Sequence, residues 1–144
     1  MGCSNGVIVN TETSGLGARK RVLIADDDAA VCALLRLALG PLAEVTTVAD
    51  AEAALGLLAN DCGYDAIISD FMLPGISGLE FVERVRGECG ARVPILMISG
   101  HGALGIGERA RAAGADAFLE KPFTLAQLRG TVGAMLRQDN ARVA

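Results

Sequence analysis

Tryptophan is absent from this 144-residue chain, and one Tyr and four Phe are its only aromatics. The formal net charge is -4 with no basic cluster, which argues against a nucleic-acid surface. No apolar run approaches the roughly 20 residues of a membrane span. The four cysteines, Cys3, Cys32, Cys62 and Cys89, form neither a CxxC pair nor a metal-type spacing, and no secretory signal leads the chain. A reducing cytoplasm is the expected location. Met1-Gly2-Cys3 begins like an acylation signal, but myristoylation wants Ser or Thr at position six, where Gly6 stands.

What is present is apolar and small. Hydrophobic residues make up 51% of the chain, enough for one domain with a real core. Residues 1–18 are rich in Gly, Ser, Thr and Asn without periodicity and are expected to be a flexible arm. Beyond them, strand-like runs alternate with helical patterns five times. The runs are 22–25, 45–48, 66–69, 95–99 and 117–119; those at 66–69 and 95–99 are apolar enough to be buried on both faces, whereas two threonines mark 45–48 as an edge strand. The first helix repeats Val31, Leu34, Leu35 and Ala38 and stops at Gly40-Pro41. Others are predicted over 51–60 with Asp50 as cap, 77–87, 104–113 and 124–137, the last burying Leu125, Leu128, Val132, Met135 and Leu136. Five such units with right-handed crossovers give a doubly wound α/β fold, a flavodoxin-like (βα)5 sandwich of a five-stranded parallel sheet between two helical layers. The domain is expected over 19–138, with 139–144 a short tail and no effector domain.

In this architecture the carboxyl ends of the strands share one rim. Asp26 and Asp27 end the first strand, Asp70 the third and Ser99 the fourth, while Lys121 follows the fifth within two residues. Asp28 is accounted for as a helix N-cap. Three like charges need a positive partner, and hard carboxylate oxygens suit a magnesium-like ion. Lys121 is one of two lysines against eleven arginines, and a compact ammonium suits a phosphoryl oxygen. The set fits phosphoryl transfer, with the Asp70 carboxylate able to attack phosphorus and form an acyl phosphate.

Four segments carry a resemblance over about residues 21–137: Val22-Leu-Ile-Ala-Asp-Asp-Asp28, Ile67-Ile-Ser-Asp70-Phe-Met-Leu-Pro-Gly-Ile-Ser-Gly78, Met97-Ile-Ser99-Gly100 and Phe118-Leu-Glu-Lys121-Pro122-Phe123. In this order and spacing the chain resembles the receiver domain of two-component response regulators, of the stand-alone type. The resemblance implies that Asp70 accepts the phosphoryl group from a histidine kinase or a histidine phosphotransfer protein. Asp27 would ligate Mg2+ directly, with Asp26 holding a metal-bound water, and Asp70 and the Met72 carbonyl would complete the protein ligands; Mn2+ could substitute. Ser99 and Lys121 would hold the phosphoryl oxygens, and the Lys121-Pro122 bond would be cis. Ser99 and Phe118 would form the switch, Phe118 replacing the more frequent Tyr. Output would pass to a protein target through the fourth helix, fifth strand and fifth helix, from a monomer or weak dimer, with no nucleic acid or membrane contact. Such a domain is not an enzyme beyond its own phosphorylation and dephosphorylation.

Rival chemistries fit less well. The Asp-x-Asp of Asp26 and Asp28 resembles haloacid-dehalogenase-type phosphatases, but Ala30 stands where those carry Thr or Val, and there is no room for a cap domain. A flavodoxin-like FMN site needs a hydroxyl- and glycine-rich phosphate loop, which Asp26 to Asp28 would repel. A degenerate receiver acting only in binding would not need the intact acidic set. His101, two residues past Ser99, and Met72, two past Asp70, are candidates for control of phosphoryl lifetime. Gly100, Gly102, Gly105 and Gly107 weaken the start of the fourth helix, which is expected to be mobile before phosphorylation.

Overall fold

The computed structural model describes residues 19–90, 93–100 and 105–143. The arm over 1–18, His101, Gly102 and Leu104 lie outside the described residues. Five strands, β1 (Lys20–Ala25), β2 (Ala43–Val48), β3 (Ala66–Asp70), β4 (Ile95–Ser99) and β5 (Ala117–Glu120), form one parallel sheet in the order β2-β1-β3-β4-β5. The chain steps outward from β1 to β2 and then returns to place β3 on the other side of β1. The crevice at that reversal is where this class of sheet binds ligands.

Helices α1 (Ala29–Leu39), α2 (Ala51–Asn60), α3 (Gly78–Cys89), α4 (Ile106–Ala113) and α5 (Leu125–Val143) cover both faces. The pleat sorts the core. Leu23, Ile67, Ile95 and Met97 point to one face and pack with Leu58, Phe81, Val82 and Ala110 from α2, α3 and α4. Val22, Ile24, Ile68, Leu96 and Ile98 point to the other and pack with Leu35, Ala38, Leu128 and Val132 from α1 and α5. All residues of β4 are buried, as its unbroken apolar run requires, and β2 is an edge strand with half-buried threonines. Asp28 and Asp50 cap α1 and α2 as their side chains predict, and Ser77 caps α3 by accepting from the Glu80 amide.

Three features differ from the sequence expectation. On α1 the buried residues are Leu35, Ala38 and Leu39, while Leu34 is 43% and Leu37 72% exposed. A helix apolar on nearly every side leaves the phase of its buried stripe undetermined. Helix α5 continues through Val143, because the polar residues after Arg137 contain no Gly or Pro to stop it. Cys62 and Cys89 form a disulfide, with Cα atoms 5.7 Å apart, although the expectation of a reducing compartment gave no sign of a pair. Their separation of 27 residues carries no pairing signal; packing of α2 against α3 brings them together. The Lys121-Pro122 bond is cis, as the resemblance implied.

Candidate metal and phosphoryl site at the sheet rim

Backbone pairing carries the sheet one residue past its strands and fixes the rim. The Asp26 amide donates to Val48 O at 3.0 Å, the Phe71 amide to Ile98 O at 2.8 Å and the Lys121 amide to Ser99 O at 2.8 Å. Since Ala25 lies opposite Ser69 in the register, the next residues on these neighbouring strands are Asp26 and Asp70. Asp26, Asp27 and Asp70 each bring a carboxylate oxygen within 4.8 Å of the others. Successive residues of an extended chain point to opposite sides, so Asp26 is 3% exposed while Asp27 faces solvent. Asp28 is turned away, its Oδ1 accepting from the Ala30 and Val31 amides at 2.9 and 3.3 Å. That duty occupies Asp28 as the cap of α1.

Asp70 is half-buried, with Oδ2 lying 3.9 Å from Lys121 Nζ and Oδ1 accepting a long 3.4 Å bond from the Met72 amide. Ser99 is fully buried at the end of β4. Gly100 lets the Lys121 stem pass, because a Cβ there would sit 3.3 Å from Lys121 Cδ. Met72, two residues past Asp70, is 54% exposed beside the site.

Residues 22–133 match the response regulator receiver domain family. The chain belongs to that family. It is 36% identical over 119 residues to the response regulator MprA of Mycolicibacterium vanbaalenii, covering 82% of this chain and 51% of that protein. It is 39% identical over 122 residues to the transcriptional regulatory protein TcrA of Mycobacterium tuberculosis, covering 82% of this chain and 46% of that one. The chain thus spans about half the length of the curated relatives it matches. Among solved structures it is similar to a CheY-like receiver domain from Methanospirillum hungatei, with a TM-score of 0.80, 26% identity and coverage of 87% and 99%. It is also similar to the chemotaxis response regulator CheY4 of Vibrio cholerae, with a TM-score of 0.75, 31% identity and coverage of 82% and 99%. Receiver domains are signalling proteins of two-component systems rather than turnover enzymes. No helix among the described residues of this receiver is long and apolar enough to cross a membrane.

The acidic cluster of the receiver suits a divalent cation. Burial pushes the Asp26 carboxyl above its usual range; the Asp28 amide pulls it down, the Asp70 charge pushes it up, and Lys121 and Asp27 act more weakly in opposite senses. Three carboxylates face one ammonium, so the donor set is short of positive charge and consists of hard oxygens. A cavity of about 400 Å³ opens beside Asp26 and Asp27, lined also by Cys32, Arg36 and Thr47.

Several residues that shape the site were not picked out from the sequence. Gly78 begins α3 against the loop after Asp70: its amide donates to Phe71 O at 2.9 Å, and a Cβ would lie 2.4 Å from Asp70 O. The glycine itself is visible in the sequence, but not the backbone that approaches it. Cys32 donates its thiol to Asp26 O at 3.2 Å. Arg109 of α4 lies over the Phe71 ring at 5.8 Å, linking α4 to the residue after Asp70. Phe118, the expected switch aromatic, packs on the α2–α3–α4 side and touches α4, where a Cβ on Gly107 would be 3.4 Å from its ring.

Proposed function

We propose that this receiver is phosphorylated on Asp70 by a phosphohistidine of a histidine kinase or a histidine phosphotransfer protein. A carboxylate oxygen of Asp70 attacks phosphorus in line, the P–N bond breaks as the O–P bond forms, and the histidine ring leaves with the bonding pair. Little acid or base work is needed, so positioning and charge supply the catalysis. The supporting observation is the meeting of Asp26, Asp27 and Asp70 within 4.8 Å, with Lys121 Nζ 3.9 Å from Asp70. Mg2+, or Mn2+ in its place, would be held by Asp27, Asp70 and the Met72 carbonyl, with Asp26 acting through a bound water, and would supply the positive charge that this cluster lacks. Lys121 pairs with one phosphoryl oxygen and the Ser99 hydroxyl donates to another.

The phosphoryl group draws Ser99 toward Asp70, Phe118 turns into the space released, and the α4-β5-α5 surface shifts between two states read by a protein target. Contact of Phe118 with α4 supports that route. The receiver acts in the cytoplasm as a monomer or weak dimer, without touching nucleic acid or membrane itself.

Incubation with a small phosphoramidate and Mg2+, followed by intact mass, tests the assignment. One phosphoryl group per chain is expected, lost with Asp70→Asn and with chelation of the metal. Labelling that persists in Asp70→Asn refutes it, and multiple turnover of phosphate monoesters that is lost on Asp26→Ala would favour a phosphatase.

A further inference from the structure

We propose that Cys62 and Cys89 are a reversible redox modification site, a clasp whose closure is communicated along α3 to the phosphoacceptor loop. Cys62 follows α2 by two residues and Cys89 is the last residue of α3, so the bond ties the ends of two adjacent helices. Both cysteines are half-buried, within reach of a small thiol reagent, and Cys89 also packs on the core. The remaining described cysteine, Cys32, sits on α1 and is not part of the clasp. In the reducing cytoplasm proposed above, on which reversibility rests, disulfides are typically transient and catalytic or redox-sensing.

Helix α3 is the connecting element. Its 12 residues span roughly 18 Å as a rigid rod. At the far end from Cys89, Gly78 abuts the Asp70 carbonyl so closely that no side chain fits, and its amide holds Phe71 O at 2.9 Å. Between the two ends Phe81, Val82 and Val85 are fully buried, so the helix moves as a unit rather than bending. Fastening its last turn to α2 limits that movement and holds the loop after Asp70 in place.

The chemistry balances with a low-molecular-weight disulfide of the glutathione type as oxidant. The thiolate of one cysteine attacks a sulfur of that disulfide, giving a mixed disulfide and releasing one small thiolate. The other cysteine, deprotonated, attacks the protein sulfur of the mixed disulfide and expels the second. Two protein thiols lose two electrons and two protons, and the small disulfide gains them as two thiols.

The clasp rests on the phosphoacceptor assignment only for its effect on Asp70, and its test separates the two. The wild-type chain is equilibrated in buffers of graded reduced and oxidised glutathione, alkylated, and peptide-mapped, with amide hydrogen exchange and phosphoramidate labelling followed on the same samples. Expected are a single two-electron transition confined to Cys62 and Cys89, slower exchange over 78–89 in the oxidised form, and labelling of Asp70 about fivefold faster there, the low end of coupling between distant sites. Cys62→Ser should match the reduced form in every buffer. Absence of the Cys62–Cys89 linkage at any ratio, or equal exchange over 78–89 in both forms, overturns the clasp, and equal labelling rates overturn its link to Asp70. If neither form labels, the phosphoacceptor assignment fails, and the exchange comparison alone decides the clasp.

Discussion

Replacing Gly78 with alanine adds one methyl group where the loop after Asp70 meets α3. The new Cβ would stand 2.4 Å from Asp70 O and 2.9 Å from both Phe71 Cα and Phe71 O, all of them backbone atoms that cannot rotate aside. To reach even 3.0 Å from Asp70 O the chain must open by about 0.6 Å. The helix cannot supply that shift freely, because Phe81 and Val82 of its first two turns are fully buried. Overpacking of this kind costs about 1–3 kcal/mol, against which alanine returns at most about 1 kcal/mol of helix propensity. With the full propensity return the net loss is about 0–2 kcal/mol, a fall in melting midpoint of up to roughly 8 °C. A misplacement of 1 Å at a reacting centre costs about a hundredfold, so a shift of about half that should slow phosphoramidate labelling of Asp70 about tenfold. Gly87→Ala provides the control on the same helix. Nothing lies within 4 Å of its Cβ position, and the change should raise stability by up to about 1 kcal/mol with labelling unaffected. Thermal melting followed by circular dichroism, with labelling rates at saturating Mg2+, reads both effects. If Gly78→Ala melts and labels like the wild type, the close approach of α3 to Asp70 does not constrain the site.

Two further changes test the electrostatics of the rim and of the opposite pole. Burial, aided by the Asp70 charge, raises the Asp26 carboxyl in the folded chain, so its contribution to metal-free stability is complete below the unfolded carboxylate range, near pH 4, and is lost as pH rises through the raised value. Asp26→Asn, which can still accept from the Asp28 amide, should therefore gain on the wild type as pH rises from 4 to 7, and lose that lead when Mg2+ is added; a pH-independent difference in melting midpoint would refute this. At the other pole Arg86 donates to Gly114 O, Gly90 O and Val93 O and to Asp116 Oδ2, tying α3 to the starts of β4 and β5. Arg86→Ala should cost about 2–4 kcal/mol in chemical denaturation without weakening Mg2+ binding, and lysine, with one point charge, should not rescue it; a loss under about 0.5 kcal/mol would contradict that role.

The parts of the fold that could be read from the sequence are those where one physical signal dominates. Residues 66–69 and 95–99 have no polar alternation, so only a doubly covered strand suits them, and that is where β3 and β4 lie. Asp50 and Asp28 each precede a helical pattern and each accepts the amide bonds expected of a cap. Where two phases satisfy the pattern equally, as on α1, the buried stripe could not be chosen, and Leu34 proves to be exposed. The disulfide and the Gly78 contact were invisible for another reason. Both depend on which backbone comes near, and that is settled by packing α3 against α2 and against the Asp70 loop, not by any local preference.

The aspartates show how far local reasoning reaches. Three consecutive acidic residues at a strand end announce a charge problem, and the pleat divides it: Asp26 inward, Asp27 outward, Asp28 into the helix cap. Asp70 differs from both in having the Lys121 ammonium at 3.9 Å and a partly exposed loop beside it. Burial above all, and the Asp70 charge after it, hold the Asp26 carboxyl up, while one lysine faces three carboxylates. A divalent cation held there would pair with the buried charge that costs the metal-free fold. The site's cost in stability and its affinity for the ion therefore have a common origin, and removing Asp26 should reduce both together.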